Sequence, residues 1–223
     1  MIPNLTFDEL MRLFRSVFGL KVREGELTIL VDLPDEKVPD NDDWFDRRQI
    51  AGEWYNSFTE HALQTPFSEV NLCTYNNVGS NNNDLPPFVK KVRAYLGDAS
   101  LGAGMLVSLD EVLASSSVVI GLTELSATAP LKMLARKFQF RGASMPGFQR
   151  AMIPTLSLDY EKVHERVLQF KERMERAEGV RIVLTADGKP YECMFDLRYR
   201  TAHASGGLMR EEGVVANLPS GEA

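Results

Sequence analysis

Three short runs of aliphatic and β-branched residues, "ELTILVDLP" (26–34), "EVNLCTY" (69–75) and "SVVIGLT" (117–123), constrain this chain most. Each is nearly continuous in its apolar character. A strand that is covered on both faces reads this way, whereas a half-exposed strand alternates. The segments between them carry helical periodicity. Thr6 to Glu9 forms a capping box, followed by Leu10, Leu13, Phe14, Val17 and Phe18, which predicts a helix over about 7 to 19. Residues 42–64 hold Trp44, Phe45, Ile50, Trp54, Phe58 and Leu63 on a rough helical period. Strands joined through helices of this length pair in parallel.

The same alternation continues toward the C-terminus. Ser108 to Glu111 caps a short helix, and "TAPLKMLARKF" (128–138) is a helix with proline near its start. "RGASMPG" (141–147) is a short strand or turn. Residues 158–179 form a long helix closed by Gly179, and Asp187-Gly188 between two strand-like runs predicts a hairpin. The expected fold is therefore α/β, a mostly parallel sheet with helices on both faces and a C-terminal β-hairpin. Residues 1–198 are expected to form this domain. Residues 199–223 are less regular and are expected to open a second, truncated one.

Composition narrows the function classes. The 223 residues are 44% hydrophobic and 25% charged, a globular mixture long enough for a sizeable core. The net charge of −6 argues against a nucleic-acid surface. No apolar run is long enough for a membrane span, and the N-terminus lacks the pattern of a signal peptide, so a cytoplasmic setting is expected. Cys73 and Cys193 lie in apolar, strand-like contexts and are expected to be small buried hydrophobes.

Motifs for chemistry are mostly near misses. No G-x-G-x-x-G occurs, and "GDASLGAGM" (97–105) has the wrong spacing for a phosphate cradle. "GASMPG" places Pro146 where a nucleophile elbow needs glycine, so Ser144 reads as part of a structural turn. His164-Glu165 lacks the second histidine of a zincin, and a surface histidine is expected. His61 is a lone helical histidine. His203 stands in a glycine-flanked stretch beside Arg198 and Arg200, where either a bland or a functional role is open. The Asn-rich loop 76–84 follows a strand, at a position where open α/β sheets bind ligands. Cofactor-binding residues are not assigned, and catalytic residues are not readable. At the end of the chain a strand-like run enters a Pro-Ser-Gly turn and projects Glu222, either as a solvated acid or as a cation ligand.

That last stretch, "NLPSGEA", resembles the Asn-Leu-Pro-x-Gly-Glu-Val/Ala segment of the aminopeptidase T family of metallopeptidases, often labelled leucyl aminopeptidases. Residues 121–148 and 152–167 are similar to the N-terminal domain of that family. The resemblance implies a two-domain hydrolase that removes N-terminal residues from a peptide substrate. It implies two divalent metal ions, Co²⁺ or Zn²⁺, with Glu222 as the first ligand and the remaining ligands after residue 223. This chain is then expected to be inactive alone. Some relatives on the same scaffold are iron-dependent ring-cleaving dioxygenases of dihydroxypyridines, which makes Fe²⁺ the alternative metal. A non-catalytic assembly or binding domain, able to form a homodimer, is the third expectation.

Overall fold

A computed structural model describes residues 3–222. Five α-helices are described: α1 (Phe7–Phe18), α2 (Asp42–Glu60), α3 (Leu109–Ser115), α4 (Thr128–Phe138) and α5 (Tyr160–Arg176). The strands are β1 (Glu26–Leu33), β2 (Val70–Asn76), β3 (Phe88–Val92), β4 (Met105–Ser108), β5 (Ser116–Gly121), β6 (Arg141–Ser144), β7 (Gly179–Ala186), β8 (Lys189–Asp196) and β9 (Val215–Asn217). Seven strands form one sheet in the order β4-β3-β2-β1-β5-β6-β9, and β7 pairs with β8 apart from it. β2, β1, β5, β6 and β9 run parallel, while β3 and β4 are antiparallel additions at one edge.

The apolar runs sit at the centre of the sheet, as their continuous hydrophobicity requires. β1 is buried from Leu27 to Asp32. On one face Leu30, Cys73, Val119 and Val215 meet Leu113, Leu131 and Ala135 from α3 and α4. On the other, α2 packs on β1 and β2 and meets α1. Aromatic rings fill that layer: Phe14 is edge-on to Phe18, Phe58 and Trp54, and Phe58 to Phe67. Burying each such side chain stabilises by about 1.5–3 kcal/mol. α1 begins on the expected capping box, with Thr6 N–H donating 2.8 Å to the Glu9 carboxylate. It ends at Gly19 in the left-handed conformation (φ 56°), which a glycine adopts without steric cost.

The chain divides into two compact units, one made of residues up to Leu158 with Gly207–Pro219, the other of Asp159–Gly206 with the residues from Ser220 on. Residues 215–217, read from sequence as leading into a further domain, pair with β6 as the edge strand of the main sheet. The helix expected over 42–64 stops at Glu60, and Leu63 lies in a short 3₁₀ turn, fully exposed. Cys73 is buried as expected. Cys193 is exposed, which corrects the reading of both cysteines as core residues, because no layer of this unit covers β8. Among the described residues no helix is long and apolar enough to cross a membrane.

Candidate functional site

In an open α/β sheet the natural ligand crevice lies at the carboxyl ends of the strands, where the connections turn in opposite directions. Here β1 is flanked by β2 on one side and β5 on the other, so the reversal falls between β1 and β5. Asp32 occupies that point and is fully buried. Its carboxylate accepts the backbone N–H of Glu124 (2.8 Å) and of Leu125 (3.0 Å), and the indole N–H of Trp44 (2.9 Å). Burial pushes its pKa up, and these three donors together with the Arg47 cation pull the other way. Arg47, itself buried, donates to the Phe148 carbonyl (2.8 Å) and pairs with the Glu124 carboxylate. The crevice is thus stitched by a carboxylate whose lone pairs already serve donors of the chain. Thr123, next in line, keeps a buried hydroxyl with no hydrogen-bond partner.

The Asn-rich loop is used structurally. Asn81 Oδ1 accepts from Ser126 N (2.8 Å), and Asn82 Oδ1 accepts from Ala129 N (3.0 Å) and Ser126 Oγ (3.2 Å). The Asn82 contact satisfies one first-turn amide of α4, that of Ala129, and the others hold the residue before its N-cap Ala127, which has no side-chain acceptor. Thr128 Oγ1 then lies 3.0 Å from Ser144 Oγ and 2.8 Å from Asn217 Oδ1, linking α4 to the ends of β6 and β9. Ser144 is fully buried in this hydroxyl and amide cluster. Among the described residues no histidine or carboxylate hydrogen-bonds to Ser144, so none of them serves it as a base. The Gly-rich stretch is likewise occupied: Lys90 Nζ donates to the Gly102 carbonyl (3.0 Å), and Asp98 pairs with buried Arg48 (2.7 Å).

The candidate metal ligand Glu222 is exposed. Its backbone exchanges two hydrogen bonds with Ser205 (3.0 and 2.8 Å), and its carboxylate takes no partner among the described residues. The histidines do not converge on it. His61 stacks on Phe7 with ring centroids 4.3 Å apart and bonds the Ser57 carbonyl (2.8 Å). His164, expected at the surface, is half-buried and has its Nδ1 buried without a partner beside Gly206. A glycine is needed there, since a Cβ would fall 2.5 Å from that nitrogen. His203 is exposed. Among the described residues no group of three or more His, Cys, Asp or Glu is arranged to hold a metal ion. A lone carboxylate does not fit a two-metal or an iron centre by itself.

No protein-family model matches the chain, and no curated protein matches it. A solved structure of 2,5-dihydroxypyridine dioxygenase from Pseudomonas putida is similar, with a TM-score of 0.47 and 16% sequence identity. The match covers 96% of this chain and 52% of that one, so the chain spans about half the length of the solved protein. That protein is a dioxygenase and not a hydrolase, so the expected metallo-aminopeptidase finds no support among the comparisons.

Proposed function

We propose that this chain is the scaffold portion of an iron-dependent ring-cleaving dioxygenase and contributes one carboxylate, Glu222, to a metal centre completed from elsewhere in the assembled protein. The observation that carries the reading is the state of Glu222. Its main chain is pinned by two hydrogen bonds to Ser205, while its side chain has no partner among the described residues. With its main chain fixed, only the side-chain torsions of Glu222 remain to be ordered when a cation binds. The reaction class rests on the resemblance of residues 217–223, 121–148 and 152–167 to a scaffold that includes such oxygenases.

The test uses the full-length protein loaded anaerobically with Fe²⁺. The expected result is Fe²⁺-dependent oxygen uptake with 2,5-dihydroxypyridine, and a loss of iron affinity of about tenfold or more in Glu222→Gln. Unchanged iron affinity in that variant would remove Glu222 from the site. Absence of iron-dependent uptake by the wild-type protein would remove the oxygenase reading.

A second reading, a non-catalytic assembly domain, is favoured by a different observation. Around the carboxyl ends of the parallel strands, Asp32, Asn81, Asn82, Thr128 and Asn217 are all spent on one another or on the backbone. Stoichiometric Fe²⁺ binding to this chain, abolished in Glu222→Gln, would contradict it.

A further inference from the structure

β4 is the outer strand of the main sheet, and no described residue pairs with its free side. The ladder with β3 fixes which way its backbone points. Leu109 N–H donates to the Pro87 carbonyl (2.9 Å), and the same register sets Val107 against Val89 and Met105 against Lys91. Antiparallel partners alternate between pairs that exchange hydrogen bonds and pairs that turn theirs away. Leu106 therefore turns its N–H and C=O outward, and Ser108 its N–H. Natural edges are blunted by lysine, proline or a bulge. Met105 to Ser108 holds no lysine or proline and its register is unbroken; it is merely short. Both faces of this edge are apolar. Leu106 and Phe88 lie on one, 64% and 55% exposed, and Met105 lies on the other, 57% exposed. Beside Leu106 and Phe88 the surface opens into a cavity of about 190 Å³, lined also by Leu33, Tyr75, Pro86 and Lys90. That is below the roughly 300–1,000 Å³ of a small-molecule site and suits a single side chain.

We propose that β4 is a strand-addition site for an extended segment of a partner protein. The segment carries a large aromatic residue whose ring crosses Leu106 into the cavity, and an acidic residue two places along. Main-chain hydrogen bonds to Leu106 and Ser108 hold such a strand, and the cavity selects among side chains. Residues two apart in a strand share a face, so the ring and the acid both lie over Leu106. Charge assigns the acid. Lys90 stands opposite Leu106 on that face, and its ammonium donates to the Gly102 carbonyl (3.0 Å) and meets no carboxylate among the described residues. An added strand would run about 10 Å from β3, a span that lysine and glutamate side chains bridge together. Charge also argues against a second β4 as the occupant, because Met105 to Ser108 would bring no acid to Lys90.

The test is fluorescence anisotropy of the full chain with the labelled peptide acetyl-Ser-Thr-Glu-Val-Phe-Thr-Ser-amide. The contact is small, so saturable binding is expected below about 1 mM and no tighter than micromolar. Leu106→Glu, a change at an exposed site, should weaken it by about tenfold or more. Two N-methylated peptides need no protein variant. One blocks the valine amide and the other blocks the glutamate and phenylalanine amides. Only one set faces β4 in an added strand, so one peptide should lose binding and the other should keep it. Lysine in place of the peptide's glutamate should weaken binding about threefold, and Lys90→Glu should reverse that preference. Absence of saturable binding would overturn the proposal. So would indifference to Leu106→Glu, an equal effect of the two methylations, or a lysine peptide that binds as well as the glutamate one. Wild-type chains that pair with one another and are separated by the peptide would make the edge a contact between copies, which also overturns it.

Discussion

Glu24 and Asp32 are both carboxylates removed from water, and they respond to acid in opposite directions. Burial pushes Glu24 up, but the Arg141 guanidinium at 2.6 Å and the Lys21 N–H at 2.6 Å hold it below the ordinary glutamate value. A lowered folded pKa stabilises above the unfolded value and is lost as pH falls through the folded one. Asp32, raised by burial, takes its proton first in the folded state, so its contribution grows on acidification. Glu24 and Arg141 are 2% and 3% exposed. Replacing Glu24 by Gln leaves the Arg141 charge buried and unpaired, a cost of about 3–5 kcal/mol at neutral pH. Thermal melts from pH 7 to pH 3 should show this loss, with a flatter decline below pH 4 than the wild type shows. A variant that matched the wild-type curve would mean the pair is not closed in solution. Little of this was legible in sequence. Asp32 interrupts the apolar run "TILVDLP". A charge at that place must be satisfied by something, but its donors come from residues 44, 124 and 125, which no local pattern connects to it. Glu222 stands out in sequence as the carboxylate projected by a Pro-Ser-Gly turn, and the resemblance of that segment to a metal-ligand motif singles it out further.

Elements were easier to read where their signals are local. The capping box of α1, the span of α4 and the Asp187-Gly188 turn all rest on residues within one turn of the feature. β3 and β4 escaped because their interval is broken by Pro86, Pro87, Gly97, Gly102 and Gly104, and because antiparallel edge strands here are only half-covered. The start of α4 was legible as a boundary but not as a cap, since its acceptors lie some forty-five residues earlier. Asn82→Ala removes the acceptor of Ala129 N–H. The expected cost is about 1 kcal/mol, seen as a lower urea midpoint with an unchanged slope. A neutral result would show that water replaces the amide there.

At the scale of the molecule, strand order is set by pairings that sequence periodicity does not encode. A parallel sheet was readable from buried runs, but the neighbour of β6 was not, because β9 is three residues long and arrives from beyond the hairpin. Met209, Val215 and Leu218 are buried along with it. A chain ending at residue 206 forfeits about 5–9 kcal/mol of burial, comparable with the whole stability of a domain this size. Such a chain should aggregate or lose its cooperative melt, and a soluble, cooperative 206-residue chain would show β9 to be dispensable.

That late strand gives the fold a clock. On a ribosome, β1, β2, β5 and β6 emerge in time to assemble, yet β6 keeps a bare edge while residues 145 to 214 are still being made. At about 5–20 residues per second, the wait is on the order of 4–14 s. Throughout it the nascent chain shows an unpaired strand to its surroundings. The sheet therefore depends on a strand made some seventy residues later to protect the edge of β6, and slow codons before Val215 are the stretch of the message at which misassembly would be most costly.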